Sequence, residues 1–131
     1  EQPEGFPVEL RDAVGDRIFG CDDCQDVCPF NRTRPPDAAT TREFAPDARW
    51  SALSPESWLA LDDETFRART EGSPLARPGA DGMARNAAVV LGNVGGRRHL
   101  PVLRACAATH RSAVVREAAA WAVAKIESGE G

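Results

Sequence analysis

Tyrosine is absent from this chain of 131 residues, lysine and methionine occur once each, and histidine occurs twice. The two histidines, His99 and His110, lie eleven residues apart. They do not make the pair, about three to five residues apart, that completes a cysteine–histidine zinc module. No apolar run approaches the ~20 residues of a membrane-spanning helix, and no charged–apolar–small stretch opens the chain. The three tryptophans and five phenylalanines are not interleaved with basic residues, which argues against a base-stacking nucleic-acid platform. A soluble, cytoplasmic protein without membrane contact is the expectation. Fifteen of the sixteen basic residues are arginine, and Lys125 is the exception, a bias that coding composition explains as well as function does.

What is present supports a modest core, since 42% of the residues are hydrophobic. The length allows one domain of ordinary size or two very small ones. The net charge of −4 conceals a split. Residues 1–66 carry 15 acids and 6 bases, whereas residues 67–131 carry 5 acids and 10 bases. Asymmetry of this kind points to an anionic partner for the basic half.

Three of the four cysteines fall within eight residues, Cys21, Cys24 and Cys28, with Pro29 directly behind. Disulfide frameworks spread cysteines along a chain, whereas metal sites cluster them. The spacing C-x2-C-x3-C-P is the tail of the bacterial ferredoxin run C-x2-C-x2-C-x3-C-P, whose last cysteine serves a different cluster from the others. Iron–sulfur ligation is therefore preferred to structural zinc, and either to unligated thiols. Pro29 forbids continuation of a helix, and Gly20 lets the backbone approach an inorganic core. Asp22, Asp23 and Asp26 interleave the thiols and are expected to face solvent.

The run is incomplete. Ile18 stands where its first cysteine would be. A [4Fe–4S] cube is held by four thiolates. The remaining cysteine, Cys106, lies in the apolar helical pattern Leu100–Ala108 and reads as a small buried hydrophobe. The missing ligands are expected from sequence outside this chain, which would make it a fragment.

Pro7–Val14 predicts a short helix, with proline at its first position and Gly15 as its stop. Residues 32–53 read as a Pro/Thr/Asp-rich connector, anchored by Phe30, Phe44 and Trp50. Ser54-Pro55 is a strong helix start, Trp58, Leu59 and Leu61 supply the apolar face, and a second helix follows Asp62. A Gly72-Ser-Pro break and a loop over 75–82 come next. Arg85-Asn-Ala-Ala-Val-Val-Leu-Gly then repeats as Arg116-Glu-Ala-Ala-Ala-Trp-Ala-Val at an offset of 31 residues, with a helix over Pro101–Thr109 between. Such a period reads as a short α-solenoid of HEAT-like type, its seam filled by Val89, Leu91, Leu103, Val115, Trp121 and Ile126.

The expected fold is therefore mainly α: a partial ferredoxin-like [4Fe–4S] segment followed by a short HEAT-like α-solenoid. Residues 1–31 are assigned to the C-terminal part of a ferredoxin-like domain, 32–53 to the connector and 54–131 to the repeats. Arginines of the basic half are solvated faces or phosphate contacts, and Arg85 and Arg116, which share a repeat position, also admit a structural role on the second helix. For phosphate, the candidates are Arg77 in the Gly/Pro loop, with Arg85 and Asn86 on what reads as the opening turn of the repeat helix.

The segment Gly20-Cys-Asp-Asp-Cys-Gln-Asp-Val-Cys-Pro-Phe-Asn31, then Gly72-Ser-Pro, Arg85-Asn-Ala-Ala-Val-Val-Leu-Gly-Asn93 and the Ala-rich helices, resembles the C-terminal part of the epoxyqueuosine reductase family. The resemblance runs from about Pro7 to Ile126. It implies reduction of the epoxide of epoxyqueuosine to queuosine in tRNA, with cobalamin, two [4Fe–4S] clusters in a ferredoxin-like domain, and a HEAT-like domain that helps hold tRNA. It further implies that Cys21 and Cys24 ligate one cluster and Cys28 the other, and that Cys21-Asp22 border the corrin. The tRNA contacts fall to Arg77, Arg85 and Asn86, although the loop at Arg77 is less basic than the family's pattern. The family's general acid belongs to a domain absent here, so no catalytic residue is expected in this chain. A monomer served by an external electron donor is expected. Two other readings remain: a ferredoxin-like electron-transfer module fused to a protein-binding solenoid, and a scaffold whose cysteines bind zinc or nothing.

Overall fold

A computed structural model of the chain describes residues 5–31, 50 and 53–129. In chain order the helices are α1 (Arg11–Val14), α2 (Asp23–Asp26), α3 (Pro55–Leu59), α4 (Asp63–Thr70), α5 (Gly79–Val94), α6 (Leu100–Thr109) and α7 (Ala113–Ser128). Short 3-10 turns occupy Val8–Leu10, Pro29–Asn31, Pro74–Ala76 and Arg97–His99. No strand occurs among the described residues, so the mainly helical expectation holds. The chain divides into two compact units, one formed by residues 1–19 and 53–131 and the other by residues 20–52. The expected partition grouped residues 1–31 together. Within the described residues, Gly5–Phe19 instead belong with the helical repeat. The anchor expected at Phe44 lies outside the described residues.

In the larger unit, α5 and α7 are the long helices, and they lie against each other, with α6 on α7 and α3 on α5. Their contact is built from alanine. Ala87, Ala88, Ala118, Ala119 and Ala122 are fully buried, and small side chains let the two backbones come close. The closest point is Gly92. A Cβ there would stand 2.6 Å from Cζ3 of Trp121 and 3.0 Å from Cα of Ala122. Met83, Val90, Leu103 and Val115 fill the remaining space, all almost wholly excluded from solvent. Burying each such side chain contributes about 1.5–3 kcal/mol. The expected seam residues Val89, Leu91, Leu103, Val115 and Ile126 are buried, and Trp121 is half-buried.

The start of the repeat is held by local chemistry. Proline opens α3 at its first turn, as Ser54-Pro55 predicts. The Asp62 carboxylate accepts the Thr65 amide at 2.7 Å and caps α4. Trp58 and Phe66 then meet edge to face, 6.1 Å between centroids. The expected loop over 75–82 is largely helical: a 3-10 turn spans Pro74–Ala76 and α5 begins at Gly79. Pro78, with φ −70° and ψ −17°, sits in the helical region, and Gly79 opens α5 in a left-handed conformation, φ 70°, that favours glycine. Gly82 reads as a loop residue but lies within the helix despite its low propensity.

Candidate functional site

The cysteine segment is one tight turn. Asp22 is the single described non-glycine residue in the left-handed region, at φ 54°. That twist turns its carbonyl toward α2, where it accepts the Gln25 and Asp26 amides at 2.7 and 2.9 Å. The Cys28 amide donates to the Gln25 carbonyl at 3.2 Å, and the Asn31 amide to the Cys28 carbonyl at 3.1 Å. The Asn31 side chain closes the turn from outside, donating to the backbone and side-chain oxygens of Gln25 at 3.0 and 2.8 Å. Cys21 and Cys24 are exposed, Cys28 is half-buried, and all are free thiols. Asp22, Asp23 and Asp26 are exposed, as their interleaving predicts. Soft thiolates at this spacing suit iron–sulfur or zinc. Among the described residues no three Cys, His, Asp or Glu side chains gather as a metal site.

Cys106 stands apart. It is buried in α6, and burial pushes its thiol above the ordinary value of 9.0. It packs as the small hydrophobe its surroundings suggest.

The helical unit contains a polar seam that includes two of the phosphate candidates, Arg85 and Asn86. Arg85 lies well inside α5, not on its opening turn, and is only 6% exposed. Its pKa is lowered, first by burial and then by the neighbouring charge of Arg11. The Arg85 Nε donates to Asn86 Oδ1 at 3.1 Å, and Asn86 Nδ2 donates to the carbonyl of Ile18 at 3.0 Å. Asn86 is half-buried. Arg77, in contrast, is exposed, its guanidinium 5.8 Å from the ring centroid of Phe19.

Three further residues were not singled out by the sequence. Arg11 is 2% exposed, donates twice to the Phe6 carbonyl, pairs with Glu117 at 2.7 Å and lies over the Trp121 ring. Asn93 donates to the carbonyls of Arg11 and Gly15 at 2.7 and 3.1 Å. Gly15, at φ 60°, is the stop predicted for α1. Lys125 reaches Asp12 at 2.5 Å and Asn93 Oδ1 at 2.9 Å, and covers the other charge position at Trp121. The available signal was the seven-residue spacing of Asn86 and Asn93, two turns apart on one face of a helix.

Several cations of the basic half have partners within the fold. Arg111 bridges Asp63 and Asp81, Arg104 pairs with Glu127, and Arg116 donates to the carbonyls of His110 and Arg111 beside the end of α6. Arginine at a helix C-terminus satisfies carbonyls that lack helical partners, so a structural role accounts for Arg116.

No family model matches the chain. An epoxyqueuosine reductase of Pseudomonas aeruginosa is 41% identical over 125 residues, covering 94% of this chain and 34% of the relative. The Escherichia coli epoxyqueuosine reductase is 42% identical over 88 residues, 67% of this chain. A crystal structure of epoxyqueuosine reductase with an epoxyqueuosine-modified tRNA stem loop superposes with a TM-score of 0.79 at 31% identity, over 93% of this chain and 32% of that one. The chain belongs to the epoxyqueuosine reductase family. It spans about a third of the length of the curated relatives it matches. No described helix is long and apolar enough to cross a membrane.

Proposed function

We propose that this chain is part of an oxidoreductase that reduces epoxyqueuosine to queuosine in tRNA, and that it provides cluster ligands and part of the tRNA-binding surface. The observation that carries this reading is the likeness, over 93% of the chain, to a reductase solved with its modified tRNA stem loop. The turn over residues 20–31 acts as the end of a ferredoxin-like domain, and the α5–α7 stack as a HEAT-like repeat. Free, accessible thiols fit a donor set for [4Fe–4S] clusters, with Cys21 and Cys24 on one and Cys28 on the other. Cys21 and Asp22 border the cobalamin. When bound, these groups supply electron transfer and reductive opening of the epoxide. The chain's own residues hold ligands and bind RNA; none acts as the acid. Of the tRNA candidates Arg77, Arg85 and Asn86, Arg77 is the exposed one and takes the phosphate contact. An external electron donor, a monomeric state and a cytoplasmic location complete the proposal.

The test uses the full-length protein, purified without oxygen and assayed for iron, sulfide and conversion of epoxyqueuosine in tRNA by mass spectrometry. We expect conversion, and its loss with reduced iron content in Cys21→Ala. Intact clusters without conversion would favour the electron-transfer module joined to a protein-binding repeat.

A further inference from the structure

The cysteine turn is not held by a buried core of its own. Every one of residues 20–31 is exposed apart from Cys28, which is half-buried, and Val27 and Phe30 stand 68% and 86% open. Its shape therefore depends on hydrogen bonds more than on apolar burial. One residue draws on both ends of the loop between Cys24 and Cys28. Asn31 donates its backbone N–H to the carbonyl of Cys28 at 3.1 Å. Its side-chain amide donates to the carbonyl and Oε1 of Gln25, the residue directly after Cys24, at 3.0 and 2.8 Å. The Gln25 carbonyl also receives the Cys28 amide at 3.2 Å, so both of its lone pairs are engaged. Flipping the Asn31 amide would set oxygen against that carbonyl, which leaves one favourable orientation. All these groups lie in the compact unit of residues 20–52, together with the three thiols.

We infer that Asn31 is a positioning residue that clamps the loop from Cys24 to Cys28 and so sets how these two thiolates stand relative to each other when iron–sulfur clusters are bound. The inference rests on the reading of this turn as part of a ferredoxin-like domain. Gln25, Asp26 and Val27 are the whole of the link between the two cysteines. Without the Asn31 amide, the 3.2 Å bond from the Cys28 amide is left to close that link at Gln25. In the same reading Cys24 and Cys28 serve different clusters, so the loop also governs how the clusters are placed. Groups that orient ligands from outside tune a metal site along with the ligands themselves. Iron–sulfur potentials respond to hydrogen bonding at sulfur and to solvent access, and both change when a ligand loop opens. Asn31 acts on the thiolates through the backbone of Gln25 and Cys28.

Asn31→Leu is the decisive change, because it keeps the size and branching of the side chain, removes the amide and adds no charge near the clusters. In the full-length protein purified without oxygen, we expect iron and sulfide contents close to wild type, an altered EPR spectrum of the reduced clusters and a shifted midpoint potential. A wild-type spectrum and potential, whatever the thermal midpoint, would confine Asn31 to holding the chain and overturn the inference. Should Asn31→Leu come without iron, Asn31→Ala, which crowds nothing, carries the same expectation and the same refutation. Iron lost from both variants while the helical circular dichroism stays as in wild type would support the clamp, since the ligands would then be misplaced in a folded protein. Iron lost together with the helical signal would assign Asn31 to folding and overturn it. A wild-type protein without iron and sulfide would defeat the ferredoxin-like reading and the inference with it. Clusters present in wild type and unaltered in Asn31→Leu would defeat the inference alone.

Discussion

Cys106 and the clustered thiols show how a single residue type divides by environment. Burial raises the Cys106 pKa and leaves the residue only 8% exposed, and both slow reaction of its thiol. Cys21 and Cys24 are open to solvent. In metal-free protein at pH 8, an alkylating reagent should modify Cys21 and Cys24 rapidly and spare Cys106 until the chain unfolds, as peptide mapping would show. The same shift has a pH consequence. Above pH 9 the unfolded thiol has lost its proton while the folded one keeps it, so stability falls as pH rises through that range. Cys106→Ala should flatten this alkaline loss in denaturant titrations, at a packing cost of about 1 kcal/mol. Rapid labelling of Cys106 in the folded protein would contradict its burial in α6.

Between elements, Gly92 tests the closeness of α5 and α7. Helix propensity alone favours alanine over glycine by up to about 1 kcal/mol. The added methyl would meet the Trp121 ring and the Ala122 backbone, where overpacking costs about 1–3 kcal/mol. Gly92→Ala is therefore expected to destabilise by about 1–2 kcal/mol in urea unfolding. A gain in stability would mean that the helices stand further apart. The alanine-rich repeat and the order of the three helices were readable from periodicity, because small buried residues recur on one face. The start of α5 was not, since Pro78, Gly79 and Gly82 all carry turn chemistry, and only the structure shows that the helix begins at a left-handed Gly79 and runs through Gly82.

For the molecule as a whole, the helical unit and the cysteine turn draw on different sources of stability. Among the described residues, the buried core of α3–α7 is mainly hydrophobic, with Thr70 and Arg85 among its polar members, and includes no side chain of the cysteine turn. Iron chelation should leave the thermal midpoint of the isolated chain unchanged, followed by circular dichroism. Incubation with iron and sulfide should not give a stable cube with four irons per chain, because Cys106 is buried in α6 and the turn offers three thiols. A stable cube that survives Cys106→Ala would overturn the sharing of ligands.

The spacing of Cys21, Cys24 and Cys28, on which the proposed iron–sulfur ligation rests, was legible in the sequence alone, because spacing over eight residues is a local property that no distant contact needs to supply. The mainly helical character of residues 53–129 was likewise legible in the recurrence of small apolar residues. The burial and hydrogen-bond partners of Arg85 and Asn86 were decided only in three dimensions. As letters, an arginine and an asparagine in a basic half read as a phosphate contact. Their environment comes from a segment 68 residues away, Ile18, whose carbonyl must find a donor as it packs on α5. Asn93 answers the same need 82 and 78 residues away, at Arg11 and Gly15. A side chain's burial depends on what the rest of the chain lays over it, and that sum of distant contacts has no local signature.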